Sequence, residues 1–314
     1  MSVLVDETTR VLVQGVTGRE ARMVTGHMVA YGTPVVAGVT PGRGDGEPVT
    51  GVPVFDTVQE AVDATGATAT LISVPPGAVL DAALEALAHG LRLLLIATEG
   101  VPQLDAMRLL RWADDSAARV IGPNSVGIIN PSLRLKLGAI GGENPERAFA
   151  PGRIGVVSRS GGMTAEIGLM LRRVGLGVST AVSVGGDALI GMPPARLLPL
   201  YERDEQTDGV VLFGEPGTHF EEEVAEVVRS RRYTKPLIAV VAGRFTESLP
   251  EGTAFGHAAA IIEGPSGRPS AKMAALRDVG ALVAEEFDDL LQYLSLTFRH
   301  APYYGAPIDP ADWG

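Results

Sequence analysis

The stretch R-V-L-V-Q-G-V-T-G-R-E-A, residues 10–21, decides how the chain is read. Its first half is short, apolar on both faces and rich in valine, as a buried parallel strand should be. Its second half breaks at Gly15 and Gly18 and runs into a helical pattern. Strand, glycine turn and helix open a βαβ unit. The glycines let backbone approach a phosphate, and the helix N-terminus offers it free N–H groups. The spacing is G-x-x-G rather than the full G-x-G-x-x-G, so the turn alone does not name a ligand.

The same alternation continues outward. Apolar runs at 34–39, 68–74, 93–98 and 119–123 read as further strands, and 78–90 and 104–116 have helical spacing. Residues 130–153 break the rhythm with Pro131, Gly138, Gly141, Gly142, Pro145, Pro151 and Gly152, the marks of a linker or long loop. A second series follows, with strands at 152–158, 178–186, 209–215, 236–243 and 281–287. Helices are expected near 161–174, 220–232, 268–278 and 287–298. The expectation is an α/β chain of two parallel-sheet domains, 1–145 and 146–300, with a proline-rich tail at 301–314 that packs on a neighbour through Tyr303, Tyr304 and Trp313.

Composition narrows the function. A formal net charge of -11 argues against nucleic acid, whose phosphates need a basic face. The chain has no cysteine, which removes disulfides, thiol nucleophiles and thiolate metal sites. No metal site is assigned. The N-terminus is acidic where a signal peptide would be basic, and no apolar run is long enough for a membrane span, so a cytoplasmic location is expected. Lysine occurs only at 136, 235 and 272, and none follows a G-x-x-x-x-G, so there is no ordinary P-loop.

The turns after the strands carry the chemistry. The second strand ends in G-V-T-P-G-R-G, with Arg43 where an NAD site would want a carboxylate. An arginine there suits a ribose phosphate, which both coenzyme A and NADP possess. In the second series S-R-S-G-G-M-T (158–164), V-G-G-D (184–187) and G-E-P-G-T (214–218) fall at strand ends, where such sheets bind ligands. F-G-H-A-A-A-I-I (255–262) follows the fourth strand and a loop, so His257 falls on the same rim as Glu215. An imidazole beside anion-binding turns and a carboxylate suits a nucleophile that accepts a phosphoryl group. His27, His89, His219 and His300 are read as ordinary surface or helix-end residues.

In order, Q-G-V-T-G, G-V-T-P-G-R-G, A-T-E-G-V-P, G-P-N-S, V-S-R-S-G, S-V-G-G-D, G-E-P-G and G-H-A-A-A-I-I resemble the α subunit of succinyl-CoA synthetase over residues 1–298. The resemblance implies a CoA-binding Rossmann-like domain followed by a flavodoxin-like ligase domain. It implies that His257 is the phosphorylated residue and that Glu215 holds its ring. Ser158, Ser160, Gly161 and Gly162 then form the phosphate and substrate turn. Thr17, Gly18, Arg19 and Glu20 form the first CoA turn, Ala97, Thr98 and Glu99 match the second CoA segment, and Arg43 stands where the family usually has lysine. ATP or GTP with Mg would sit on a separate β-type nucleotide-grasping subunit, in a heterodimer that acts on a carboxylic acid.

This sequence departs from the family pattern in four places. Ala165 stands for a tyrosine near the acid. Ser125 stands for a cysteine. The loop before His257 carries Glu247 and Glu251 where the family is basic, and the tail runs past the family's usual end. A non-catalytic CoA-binding regulatory or scaffold subunit is the alternative reading. An NADP oxidoreductase is a weaker one, because nothing supplies a hydride-transfer site.

Overall fold

The computed structural model describes residues 2–44, 46–250, 257, 260–262 and 267–298. The tail at 301–314, His300 and Glu251 lie outside them.

The first unit alternates β1 (Val11–Gln14), α1 (Arg19–Tyr31), β2 (Val35–Val39), β3 (Val54–Phe55), α2 (Val58–Thr65), β4 (Ala69–Ile72), α3 (Val79–Ala88), β5 (Leu93–Ile96), α4 (Gln103–Asp115) and β6 (Arg119–Ile121). Its six strands lie in the order β3-β2-β1-β4-β5-β6, all parallel. The order reverses direction between β1 and β4, so helices cover both faces and a crevice opens at the carboxyl ends of these two strands. The strands form where they do because V-L-V, L-L-L-I and their like bury both faces completely.

The second unit continues with β7 (Gly127–Asn130), β8 (Leu135–Leu137), β9 (Pro151–Ser158), α5 (Gly161–Arg173), β10 (Val178–Ser183), α6 (Pro194–Arg203), β11 (Gly209–Gly214), α7 (Phe220–Arg229), β12 (Leu237–Val241), α8 (Pro269–Asp278), β13 (Leu282–Ala284) and α9 (Phe287–Thr297). The sheet order is β13-β12-β11-β9-β10-β7-β8. Counting only its parallel strands in chain order gives 2-1-3-4-5, the doubly wound order whose switch point falls between β9 and β11.

Two expectations change here. The second sheet is not wholly parallel: β7 runs antiparallel to β10, and β8 antiparallel to β7. Part of 130–153 is therefore not a connection but half of a hairpin that extends the second sheet. Antiparallel neighbours need only a short turn, which Pro131 to Arg134 supply, Arg134 with a left-handed φ of 50°. The sequence disguises β8 because its central residue is Lys136, yet that side chain is fully buried. Its Nζ donates to the carbonyls of Ile140 (3.2 Å) and Gly142, and burial pulls its pKa down to about 8. α6 is equally hidden by Pro193, Pro194 and Pro199. The first two are suited to a helix start, and burial of Leu197, Leu198 and Tyr201 outweighs the bond lost at Pro199.

The units share a core. One cluster of buried side chains runs from Val13 and Leu71 through Ile121 and Ile128 to Val157 and Leu212. The two ligand-facing edges also meet: Gly186 N–H donates to the Asn124 carbonyl at 3.2 Å, and Asn124 N–H to the Thr98 carbonyl at 3.0 Å.

Candidate functional site

The switch point of the second sheet is lined from both sides. After β9, Ser158 is fully buried, and its hydroxyl donates to the Ser160 carbonyl (2.7 Å) and accepts the Ser160 N–H (3.1 Å). This local knot turns the chain sharply, so Ser160 can cap α5 by accepting the Met163 N–H at 3.4 Å. Gly161 is required: a Cβ there would press on the Val126 side chain. Gly162 faces open space in the first turn of α5. After β11, residues 214–218 turn with Gly217 at φ 73° and Thr218 at φ 54°.

His257 and Glu215 meet in this crevice. The Nδ1 atom of His257 lies 2.7 Å from Oε2 of Glu215, with side chains 31% and 12% exposed. The ring packs flat on Gly186, where any Cβ would collide with it. Glu215 holds the histidine pKa above its ordinary value, chiefly through this hydrogen bond. Burial and the Arg159 charge oppose it, and the Glu99 charge adds to it. With Nδ1 committed to the carboxylate, Nε2 is the ring nitrogen that does not face it.

Arg159 belongs to the same place and was given no role by spacing alone. It is buried to 1% exposure, stacks 5.3 Å from the Phe220 ring centre, and has no carboxylate partner among the described residues. Its contacts among the described residues are long ones, to the Gly186 and Pro216 carbonyls at 3.4 Å and the Thr218 hydroxyl at 3.5 Å, and its Nε has no partner among them. A buried cation held this loosely is unusual, because burying charge is expensive unless an anion answers it.

The first sheet presents the other turns. Gly15 has φ 80° and packs against the Ser73 carbonyl, a position closed to any side chain. The Thr17 hydroxyl donates to Thr40 at 3.2 Å, tying the turn before α1 to the end of β2. Gly18 is the N-cap, with Arg19 and Glu20 in the first turn. Arg43 is exposed, and its loop is held by Asp56, which accepts the N–H groups of Arg43 and Gly44 at 2.7 Å. Ala97 and Thr98 follow β5, and the Thr98 hydroxyl donates to the Val74 carbonyl at 2.8 Å. Glu99 joins Gln103, Asp187 and Leu189 around a cavity of about 200 Å³ between the two edges. The Thr17–Glu20, Arg43 and Ala97–Glu99 segments thus share one rim.

Residues 6–100 match the CoA binding domain family, and residues 151–297 match the family described as succinyl-CoA ligase like flavodoxin domain. The chain is 45% identical over 292 residues to the succinate–CoA ligase [ADP-forming] subunit alpha 1 of Archaeoglobus fulgidus, covering 93% of this chain and 97% of that one. It is 40% identical over 303 residues to an ADP-forming sulfoacetate-CoA ligase subunit of an Acholeplasma species, covering 95% and 99%. Among solved structures it resembles ATP citrate lyase from Methanothrix soehngenii in complex with citrate and coenzyme A, with a TM-score of 0.85 and 26% identity. That likeness covers 95% of this chain and half of the other.

The chain belongs to the succinate–CoA ligase α-subunit family.

As a member of that family it is a ligase subunit with a CoA-binding domain. Where it departs from the family pattern, the structure gives the local setting. Ala165 sits on the second turn of α5 and packs, half-buried, with Met163 and Val126 on one hydrophobic cluster. Ser125 fills its place as a hydrogen-bonding residue, donating to the Ser183 carbonyl and accepting the Gly127 N–H at 3.0 Å. Glu247 turns to α8 and accepts the Ser270 N–H (2.6 Å) and hydroxyl (3.0 Å), so its charge serves a helix N-terminus. His89 is the C-cap of α3 and His219 the N-cap of α7. Among the described residues no helix is long and apolar enough to cross a membrane, and no group of three or more acidic, histidine or cysteine residues could hold a metal.

Proposed function

We propose that this chain is the phosphohistidine-bearing α-type subunit of an acid–CoA ligase, working in the cytoplasm with a β-type subunit that binds ATP or GTP with Mg. The observation that carries the reading is the 2.7 Å contact between His257 Nδ1 and Glu215 at the switch point. In the first step Nε2 attacks the terminal phosphorus, the P–O bond to the nucleoside diphosphate breaks, and the diphosphate leaves. Glu215 stabilises the positive charge that the ring acquires. In the second step a carboxylate oxygen attacks phosphorus, the P–N bond breaks, and an acyl phosphate forms. In the third the CoA thiol, losing its proton, attacks the acyl carbon and inorganic phosphate leaves. Arg159 and the N–H groups at the start of α5 answer the charge on the phosphoryl group throughout. CoA lies along the first sheet's rim, with Thr17, Gly18, Arg19 and Glu20 at its pyrophosphate, Arg43 at its ribose phosphate, and Ala97, Thr98 and Glu99 beside it.

The test gives the chain and its partner γ-labelled ATP or GTP and measures acid-labile, base-stable label. Label that persists in His257→Ala overturns the reading, as does a wild-type complex that binds CoA but takes no label, which is the outcome a scaffold subunit would give.

The acid is proposed to be larger or more branched than succinate. Alanine at 165 removes a ring and a hydroxyl from the pocket, and rejection of bulky acids depends on what fills that space. A panel of mono- and dicarboxylic acids, assayed for thioester formation, checks this. Succinate giving the highest kcat/KM, with no gain in Ala165→Tyr, would remove the argument.

A further inference from the structure

Behind the histidine lie two charges that touch neither it nor the ligand turns of the first sheet. Lys272, in the first turn of α8, and Glu221, in the first turn of α7, form an ion pair with side chains 0% and 1% exposed. Such a pair adds little net stability over apolar residues of the same volume, since desolvation offsets the attraction. Its remaining contacts are more specific. Glu221 Oε1 accepts the backbone N–H of Glu215 at 3.3 Å. Lys272 Nζ donates to the Thr218 carbonyl at 3.2 Å and reaches Glu222 Oε2 at 3.1 Å. Residues 215 and 218 are the two ends of the turn that carries the carboxylate. Thr218 holds it in a left-handed conformation, which a β-branched residue disfavours, so outside support is needed. The turn is held further by Gly214, which packs so tightly on Glu221 that a side chain there would strike its carboxylate, and by the Gly217 N–H bonded to the Gly267 carbonyl at 2.8 Å.

We infer that the Lys272–Glu221 pair is a positioning device, which fixes the backbone of the 215–218 turn so that the Glu215 carboxylate meets His257. Its catalytic consequence rests on the phosphohistidine reading; its structural content does not. The test compares full-length chains in which both charges are removed, Lys272→Met with Glu221→Leu, against the gentler, polar pair Lys272→Gln with Glu221→Gln. The conservative Lys272→Arg is the third chain. The ring of His257 is titrated by NMR on the unphosphorylated chain, and phosphorylation is then measured with the partner subunit. In the folded Met/Leu chain the His257 titration should move down toward the ordinary histidine range. Phosphorylation should slow by roughly 10- to 100-fold, the scale of a small misplacement at a reacting group, with the nucleotide KM unchanged. The Gln/Gln chain should move the same way by less, and Lys272→Arg should stay near wild type. A folded Met/Leu or Gln/Gln chain with wild-type titration overturns the inference, whatever its phosphorylation rate. If the wild-type chain takes no label at all, the phosphohistidine reading fails while the titration still decides this one.

Discussion

His257 gives one ring nitrogen to Glu215, and in the proposed mechanism the other attacks phosphorus; that division has a pH signature. The histidine pKa is raised, so the ring stays protonated to higher pH than an ordinary histidine, and a protonated ring cannot attack phosphorus. Phosphorylation should therefore rise with pH through a midpoint above 6.5. Glu215→Gln should move that midpoint down while lowering the plateau by about 10- to 100-fold, as loss of an orienting charge does. Stability carries the opposite sign. A raised histidine pKa stabilises the fold fully below the unfolded value and loses that contribution as pH climbs through the folded value. The stability gap between wild type and Glu215→Gln should narrow from pH 6 to pH 9 in urea titrations. Gly186 gives a second residue-scale prediction. Gly186→Ala places a methyl group against the imidazole, so label should fall well below wild type in a chain that still binds CoA. Label at the wild-type level would show that the ring does not lie on Gly186. The strand order already put the two partners on one rim, but with 42 positions between them their direct contact is not legible from spacing. The motif resemblance named the residues; the distance needed a fold.

At the level of elements, the readable signal was burial on both faces. Runs such as L-I-A-V-V fall in β12 and bury every residue, so composition alone placed them. Elements that took their burial from partners were unreadable. β8 carries a lysine satisfied by carbonyls that the fold brings to it, α6 tolerates an internal proline at 199 because its apolar stripe is covered, and β3 is two residues long. Arg159 went unassigned for the same reason: an arginine in a serine–glycine turn reads as exposed until the turn is seen to fold it inward. Ser160 shows how one cap supports the site. Ser160→Ala removes the hydroxyl that accepts the Met163 N–H, which should lower stability by about 1 kcal/mol. Thermal unfolding should fall by roughly 2–4 °C. A larger loss of phosphorylation than of stability is expected, because in the proposed mechanism the same turn faces the phosphoryl group.

Across the whole molecule, the proposed CoA rim and the proposed phosphoryl crevice meet at Glu99, Asn124 and Asp187, so a ligand held on the first sheet would stand next to the second. CoA at 100 times its Kd should stabilise the chain by about 2.7 kcal/mol. Arg43→Ala should weaken CoA by about 1–3 kcal/mol, the range of a charge-assisted hydrogen bond. Dephospho-CoA should be indifferent to that change; an equal loss for both would show that Arg43 does not read the ribose phosphate. The β7–β8 hairpin has a practical consequence. It is drawn from chain that precedes residue 145, yet β10 uses β7 as its neighbour along Ala181–Ser183. Cutting the gene near 145 would send two strands away with the wrong half. The C-terminal piece would be left with a bare, apolar β10 edge ready to pair with other molecules. Such a fragment should precipitate or self-associate on light scattering, and one beginning near residue 122 should stay monodisperse. Whoever wishes to study the second half in isolation must start the chain ahead of what its composition presents as a connector.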